Sequence, residues 1–400
     1  MNDYQNNYPV VLIHGLMGWG ENDGITKTKL MPYWGKGLVP HLESLGYEVY
    51  APSLGPFASA WDRSCELWAY LFGGTVDYGK AHSAKHHHKR YGRTYETGAI
   101  EDLGKADAHR KIQLLGHSFG GPTVKMFTEL MSNGSEEERN ATNEETLSPL
   151  FKGGHGEMLH TVTTLTGVNN GTTLANIVEP KYDPIVRGIL VGTLFLENTP
   201  AEKMFDFGNQ QFGLGEYPEN IHSMGINPPK DTVEGIKAYS ENRMDNIAYE
   251  MTVELCQKMN EGQGVNPHIY YFAQRTCATT PTGGTPEKPT GVKPNKHMGA
   301  ICRVPGEAMC RVKPKNMTAV EWDESWWPND GYVNVIGQSA PLNQPAEDGE
   351  FGMDFQPGVW YNMPIVPGDH VFWNGMSGHK KDYYAIFEQM LDTYRRLPDA

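Results

Sequence analysis

The apolar residues of this chain recur in short blocks, and most blocks are followed by a segment with helical spacing. Segments rich in apolar residues predict strands at residues 9–13, 47–51, 112–115, 268–273 and 359–363, and a further strand is predicted at 160–165. Amphipathic spacing predicts helices at residues 38–45, 61–72, 122–131, 244–259 and 382–397. Strands that alternate with helices are typical of a parallel sheet with helices on both faces, so the pattern predicts an α/β fold.

Three stretches interrupt this alternation. Residues 75–95 are polar and rich in histidine, and we expect them to be irregular, while the Pro-, Gly- and Thr-rich residues 276–318 predict a long loop. Residues 171–237 contain apolar segments hinged by glycine, which indicates either a lid or a surface insertion whose apolar residues pack down. We therefore predict one domain over residues 1–400 with these three insertions.

Composition and charge exclude two classes of protein. The chain carries 48 acidic against 34 basic side chains, and its formal net charge of −14 disfavours a nucleic-acid partner because phosphate contacts need clustered Lys and Arg. No apolar run reaches the roughly 18 residues of a membrane span, so no transmembrane segment is predicted.

The chain enters a predicted strand by residue 9, so we expect no signal peptide. Five cysteines form no dense framework, but one disulfide is open among Cys277, Cys302 and Cys310.

The predicted strand 112–115 runs into Gly116-His117-Ser118-Phe119-Gly120 and then into a helix. This is the context of a nucleophile elbow, a sharp turn that presents a serine hydroxyl at the carboxyl edge of a sheet. The tight turn predicts a strained backbone at Ser118. We expect His117 to face the core or the sheet and to have a structural role. The helix N-terminus and the His14-Gly15 loop after the first strand are the usual donors of N–H groups to an oxyanion.

A serine nucleophile needs a base, and the base needs an orienting acid. In α/β-hydrolases these two residues follow the serine, the acid before the histidine. His370 lies in a turn near the end of the chain and is the predicted base, whereas His379 lies among lysines and is better explained as solvated. Asp330 lies on the tight turn Asn329-Asp330-Gly331 and is preferred to its competitors, which are Asp323, Glu324, Asp354 and Asp369.

A second group of polar residues has the composition of a metal site. Two histidines and two carboxylates can close a tetrahedral zinc site, and the candidates are Asp62, His82, His86, His87, His88 and Asp245. On spacing alone, an exposed histidine-rich loop is the simpler interpretation. A zinc site with no evident open position would be structural and would fix a long loop.

Longer motifs resemble one known family. They include His14-Gly15-x-x-Gly18-Trp19-Gly20, Tyr33-Trp34-Gly35, Trp61-Asp62-Arg63-x-Cys65-Glu66, Ala81-His82-x-x-Lys85-His86-x-His88, Gly92-Arg93-Thr94-Tyr95 and Asn329-Asp330-Gly331. These motifs occur in order and spread over nearly the whole chain. They resemble the thermoalkalophilic lipases of bacilli and staphylococci, together with the related zinc-binding polyester-degrading esterases of anaerobic bacteria.

The resemblance implies an α/β-hydrolase fold and a secreted protein. The triad that it implies is Ser118, Asp330 and His370, and the oxyanion hole consists of the backbone N–H groups of Leu16 and Phe119. It also implies a structural zinc ion, with His86 and His87 as bystanders and with four ligands, Asp62, His82, His88 and Asp245. A calcium site is not supported, because Phe372 replaces the acidic residue that the family carries two positions after the catalytic histidine.

We therefore predict a serine carboxylic-ester hydrolase that cleaves water-insoluble esters such as triacylglycerols through an acyl-enzyme, at a lipid–water interface. The alternative substrates are aliphatic-aromatic polyesters and short-chain esters, cleaved by a polyesterase-type carboxylesterase. Two other classes are a metallohydrolase whose zinc activates water and a non-catalytic α/β-hydrolase that serves as a binding module. The first requires chemistry to stop when metal is removed, and the second requires Ser118 to be inert to fluorophosphonates.

Overall fold

A computed structural model of the chain describes residues 5–21, 23, 32–35, 37–105, 110–181, 245–285, 288–376 and 380–399. Within these ranges the strands, numbered β1 to β13, are Val10–Ile13, Val49–Tyr50, Gly74–Asp77, Tyr91–Tyr95, Ile112–His117, Leu159–Leu165, Tyr270–Gln274, Thr276–Cys277, Thr279–Gly284, Pro289–Pro294, Ala346–Asp348, Trp360–Asn362 and Val366–Pro367. The helices, numbered α1 to α12, are Leu38–Ser44, Ala60–Phe72, Lys80–His86, Gly120–Asn133, Glu136–Ala141, Pro149–Lys152, Thr173–Val178, Ile247–Glu250, Val253–Glu261, Ala300–Met309, Val335–Gln338 and Lys380–Arg395.

Seven strands form one parallel sheet in the order β11-β12-β7-β6-β5-β1-β2. A parallel sheet must be covered on both faces, and successive side chains of β1 point alternately to the two faces. Val11 and Ile13 pack into the core that contains α2 and α4, while Val10 and Leu12 pack into the core that contains α1 and α12. The predicted α/β fold is confirmed.

The register of the central strands brings their carboxyl ends to one edge of the sheet. Ile13 of β1 pairs with Gly116 of β5, and Gly116 pairs with Thr164 of β6. The loops that follow β1 and β5 therefore begin side by side. This edge is where open α/β sheets bind their ligands.

Helix α2 lies against the central sheet and buries charged as well as apolar residues. It begins where the Ser59 side chain accepts a hydrogen bond from the Asp62 backbone N–H, and it ends at Gly73, whose φ of 80° stops the helix. Asp62, Arg63 and Glu66 are all buried in it. Burying a charge is costly unless the charge has a partner, so we expect these three side chains to bind partners elsewhere in the fold.

Two segments that the sequence predicted to be irregular are ordered. Residues 75–95 form the antiparallel pair β3–β4 around the short helix α3. Residues 276–318 contain β8, the antiparallel hairpin β9–β10 and helix α10. Both predictions were wrong for the same reason: the strands of these two pairs are largely exposed, so they show little of the apolar alternation that a half-buried strand requires.

The single helix predicted at 244–259 is two helices, α8 and α9. Thr252 separates them, because its side chain accepts a hydrogen bond from the Leu255 backbone N–H and so starts a new helix. The predicted lid region lies outside the described residues from position 182 onward, and its described part contains α7.

Two further observations bear on the sequence predictions. All five cysteines lie within the described residues and are free thiols, so the bridge left open among Cys277, Cys302 and Cys310 is not formed. Among the described helices, none combines the length and the apolar character needed to cross a membrane.

Candidate active site

Ser118 lies on the sharp turn between β5 and α4. Its φ is 58°, in the left-handed region that a residue other than glycine rarely adopts, as the elbow motif predicts. The turn is tight enough that a Cβ at Gly116 would lie 2.2 Å from the Gly120 carbonyl oxygen. The Gly121 N–H donates to the Ser118 carbonyl at 2.9 Å and starts the helix directly behind the serine.

Three residues that are distant in the sequence form one hydrogen-bonded relay. The distance between Ser118 Oγ and His370 Nε2 is 2.8 Å, and the distance between His370 Nδ1 and Asp330 Oδ2 is 2.9 Å. A carboxylate only accepts, so His370 carries its proton on Nδ1 and donates it to Asp330, which leaves Nε2 to accept from the serine hydroxyl. The structure thus brings together the three residues predicted as a triad.

Asp330 is held in its orientation by four donors. Its Oδ1 accepts from the backbone N–H groups of Tyr332 at 3.0 Å and Val333 at 2.8 Å. Its Oδ2 accepts from the Thr276 hydroxyl at 3.2 Å as well as from His370. The side chain is fully buried, so these bonds also compensate the cost of burying its charge.

The competing carboxylates have other partners. Asp369 Oδ2 accepts from the Gly299 N–H at 2.9 Å, and burial raises the pKa of this carboxyl. Asp323 accepts from the Ser325 N–H at 2.9 Å as the cap of a 3₁₀ turn. Neither side chain is hydrogen-bonded to the His370 ring, so among the described acids Asp330 alone occupies the orienting position.

The loop after β1 passes directly over the nucleophile. A Cβ at Gly15 would lie 2.7 Å from the Ser118 Cβ, so only glycine fits there. Leu16 follows Gly15, and Phe119 is the N-cap of α4 on the other side of the serine. Among the described residues neither the Leu16 nor the Phe119 N–H donates to another backbone carbonyl.

Arg63 connects this loop to the elbow helix, and the sequence did not reveal that role. Its guanidinium donates to the Gly55 carbonyl at 2.8 Å, to the Thr123 hydroxyl at 2.9 Å and to the His14 carbonyl. Burial lowers its pKa to about 10, which still leaves it charged at neutral pH. No spacing pattern indicates this contact set, because the three acceptors come from distant parts of the chain.

A second cluster lies beside the elbow and consists of the predicted metal ligands. Ligand atoms of four residues lie within 4.8 Å of one another: Asp62, His82, His88 and Asp245. The four N···O separations between a histidine and a carboxylate range from 3.2 to 3.8 Å. Ligands of one tetrahedral zinc ion are about 3.3 to 3.5 Å apart, so the four side chains are spaced to share a cation.

The chemistry of this cluster also fits a dication. Two carboxylates and two neutral imidazoles would place two negative charges in a buried site. Within the described residues no hydrogen bond reaches His82 Nε2, His88 Nε2 or Asp245 Oδ1. Burial lowers the pKa of His82, but the two carboxylates outweigh it and raise that pKa to about 10, which shows how strongly the site attracts positive charge.

The four predicted metal ligands are held in place by their surroundings. The Glu138 carboxylate accepts from the backbone N–H groups of Ala81 at 3.0 Å and His82 at 2.6 Å, and so holds the first turn of α3. The Trp61 indole stacks on the His82 ring with centroids 4.8 Å apart. His87 is exposed, in keeping with its predicted bystander role, and Phe372, at the position of the family's acidic residue, is buried among aromatic rings.

The parallel sheet, the elbow and the Ser118–His370–Asp330 relay define an α/β-hydrolase. The family of lipase-like C-terminal domains matches residues 6–399. The chain therefore belongs to this family, and the resemblance drawn from its motifs is confirmed.

Individual relatives agree with this assignment. Lipase 1 of Staphylococcus aureus is 31% identical over 411 residues, which cover 99% of this chain and 54% of the relative. EstA from Clostridium botulinum is 32% identical, with a TM-score of 0.80 and coverage of 99% of this chain and 89% of that structure. Staphylococcus hyicus lipase is 27% identical, with a TM-score of 0.82 and coverage of 99% and 97%. The chain thus spans about half the length of the curated relatives that it matches.

Proposed function

We propose that this chain is a serine carboxylic-ester hydrolase with the triad Ser118, His370 and Asp330. The observation that carries the proposal is the unbroken relay from Ser118 Oγ to His370 Nε2, 2.8 Å, and from His370 Nδ1 to Asp330 Oδ2, 2.9 Å. The names of similar proteins, which include lipases, support the same reaction class.

In the proposed mechanism, Ser118 Oγ attacks the ester carbonyl carbon while His370 Nε2 takes the hydroxyl proton. The negative charge that develops on the carbonyl oxygen is bound by the backbone N–H groups of Leu16 and Phe119. His370 then gives its proton to the leaving alcohol, and the C–O bond of the ester breaks. Asp330 stabilises the imidazolium throughout. Water repeats the cycle on the acyl-enzyme and regenerates the serine.

The metal in this proposal is a structural zinc ion bound by Asp62, His82, His88 and Asp245. Imidazole and carboxylate donors in a four-membered set suit zinc, and all four positions are taken by protein side chains, which leaves no place for an activated water. When bound, the ion would neutralise the buried carboxylates and join α2, α3 and Asp245. These residues therefore brace the fold beside the elbow and take no part in the proposed ester cleavage.

The substrates in this proposal are water-insoluble esters such as triacylglycerols, met at a lipid–water interface. The resemblance to lipases supports this class, and polyesters and short-chain esters are the alternative. A series of 4-nitrophenyl esters and triacylglycerols of increasing chain length, each tested dissolved and emulsified, distinguishes the two. Higher kcat/KM on emulsified long-chain esters supports the lipase assignment, whereas a maximum on short soluble esters together with release of monomers from polyester film supports the alternative.

Two further parts complete the proposal, of which secretion rests on the family resemblance and the one-domain organisation rests on the alternation of strands and helices. The first is secretion, which is tested by measuring esterase activity in culture supernatant and in lysed cells of the source organism. The second is the organisation of residues 1–400 as one domain, which predicts a single cooperative unfolding transition for the metal-bound protein.

A further inference from the structure

One hydrogen-bonded chain of side chains passes behind Ser118 and joins the loops on either side of it. The Gly15 N–H donates to the Tyr33 hydroxyl at 2.9 Å. The Tyr33 hydroxyl lies 2.6 Å from His117 Nδ1, and His117 Nε2 lies 2.9 Å from the His370 carbonyl oxygen. These hydrogen bonds therefore connect Gly15, the residue before Leu16, to the backbone of His370, the predicted base.

The partners at each end fix the direction of every hydrogen bond in this chain. A backbone N–H only donates, so the Tyr33 hydroxyl accepts from Gly15 and uses its own proton to donate to His117 Nδ1. A carbonyl only accepts, so His117 carries its proton on Nε2 and donates it to His370. A neutral His117 with this one tautomer satisfies all three bonds. Burial, with a smaller effect of His370, lowers the pKa of His117 to about 3, in agreement with the neutral form.

The backbone of His370 is held on both sides as a result. Its N–H donates to the Asp330 carbonyl at 2.9 Å, and its own carbonyl accepts from His117. His117 is also the residue before Ser118, so the base is anchored to the same turn that carries the nucleophile. The His117 ring also packs against the His370 ring with centroids 5.1 Å apart, but among the described residues no hydrogen bond joins Tyr33 or His117 to Ser118 Oγ or to a ring nitrogen of His370.

We propose that Tyr33 and His117 are positioning residues that hold the oxyanion loop, which contains Gly15 and Leu16, and the base loop, which contains His370, in register over Ser118. This inference rests on the proposed function, since it concerns the geometry of that reaction. The oxyanion donor of Leu16 follows directly on Gly15, so releasing the Gly15 N–H shifts the donor relative to the carbonyl oxygen. A displacement of about 1 Å at such a site can reduce the rate roughly 100-fold.

The test compares variants that remove single hydrogen bonds. Tyr33→Phe keeps the ring and removes the hydroxyl, and we expect kcat on a soluble short-chain 4-nitrophenyl ester to fall about 10- to 100-fold with KM changed less than about threefold. Tyr394→Phe is the matched control, because Tyr394 is another buried tyrosine of the same core, and its hydroxyl accepts from the Thr163 hydroxyl at 2.8 Å and takes no part in the hydrogen bonds between Gly15, Tyr33, His117 and His370. Its kcat should match the wild type.

Two substitutions at His117 separate positioning from packing. His117→Gln offers an amide that can accept from Tyr33 and donate to His370, whereas His117→Leu can do neither. We expect the glutamine variant to retain several times more kcat than the leucine variant at a similar melting temperature. We also expect Tyr33→Phe combined with His117→Leu to lose little more kcat than the worse single variant, since both act on one chain of hydrogen bonds.

Two results would overturn the inference and leave the proposed function intact. The first is a Tyr33→Phe enzyme with wild-type kcat while Ser118→Ala is inactive. The second is equal kcat in the two His117 variants, which would make the role one of packing only. Because the His117 pair tests the same chain of bonds, it decides the question even where Tyr33→Phe does not fold. An active Ser118→Ala enzyme would instead contradict the proposed function itself.

Discussion

The backbone of Gly15 lies so close to Ser118 that a Cβ at residue 15 would be 2.7 Å from the Ser118 Cβ and 3.1 Å from its Oγ. Gly15→Ala must therefore push the oxyanion loop away from the nucleophile. We expect kcat/KM to fall at least about 100-fold, as when one oxyanion donor is lost. Gly264→Ala is the control, because a Cβ there meets nothing within 4 Å. Equal activity of the two variants would show that this loop does not form the oxyanion hole.

Asp330→Asn tests the orienting acid. The asparagine amide keeps the shape of the side chain but can donate to His370 Nδ1 and so favours the wrong tautomer, and the expected loss of kcat is about 10⁴-fold. Asp323→Asn, at a competing carboxylate that caps a 3₁₀ turn, should keep wild-type kcat. Steady-state kinetics on a 4-nitrophenyl ester measures both. A larger loss in Asp323→Asn than in Asp330→Asn would contradict the assignment of the acid.

The proposed zinc site predicts that loss of a ligand lowers the stability of the protein but leaves ester hydrolysis intact. His88→Asn removes one proposed ligand, and we expect a loss of about 3 kcal/mol, which in a chain of 400 residues lowers the melting temperature by roughly 4 °C. His87→Asn, at the exposed neighbour with φ 60°, should leave the melting temperature unchanged. Elemental analysis should find one zinc ion per chain in the wild type and in His87→Asn, and less in His88→Asn.

The zinc-free wild-type protein distinguishes the structural role from a metallohydrolase. Chelation should lower the melting temperature by an amount similar to that in His88→Asn, while hydrolysis of a soluble ester at 25 °C continues. Immediate and complete loss of hydrolysis at a temperature where the fold persists would favour water activation by the metal.

The buried position of His160 predicts how the free energy of unfolding depends on pH. The side chain is buried, donates from Nε2 to the Pro398 carbonyl at 3.3 Å, and burial lowers its pKa from 6.5 to about 4. As the pH falls, the unfolded chain binds a proton at His160 before the folded protein does. The contribution of the neutral, buried His160 to the free energy of unfolding is therefore full above pH 6.5 and is lost as the pH falls from 6.5 through 4. Its contribution to the slope of unfolding free energy is at most about 1.4 kcal/mol per pH unit.

Urea unfolding at several pH values measures that contribution. His160→Gln, which can still donate to Pro398, should show a shallower loss of stability between pH 6.5 and 4 than the wild type. His268→Gln, at an exposed histidine, should follow the wild type. A wild-type slope in His160→Gln would show that this histidine does not contribute to acid sensitivity.

The parts of the fold that the sequence predicts are those whose burial leaves a pattern. Strand β1 is buried on both faces and is a continuous apolar run, and β5 is buried throughout and mostly apolar, with Gln113 as its one interruption before Gly116. The elbow could be predicted equally well, because the turn at Ser118 tolerates few residue types at the neighbouring positions. The order of Asp330 and His370 along the chain follows from the fold class, so the predicted triad needed only a turn motif for each.

The parts that could not be predicted depend on contacts between distant segments. The strands of β9–β10 are exposed and rich in threonine and proline, so they lack apolar alternation. Arg63 and Tyr33 have roles that depend on which carbonyl, hydroxyl and ring atoms surround them after folding. Asp245 lies beside Asp62 although 183 positions separate them; residue type made both candidate ligands, but only the family resemblance selected these two carboxylates with His82 and His88 as one set.

The central claim is that Ser118 is the nucleophile of an ester hydrolase. Titration with a fluorophosphonate, followed by mass spectrometry of the protease-digested protein, tests it directly. We predict that one phosphonate per chain attaches to Ser118, that ester hydrolysis falls in proportion to the fraction labelled, and that Ser118→Ala neither reacts nor hydrolyses. Full hydrolysis by protein without a modifiable Ser118, or no labelling of the active wild type, would contradict the claim.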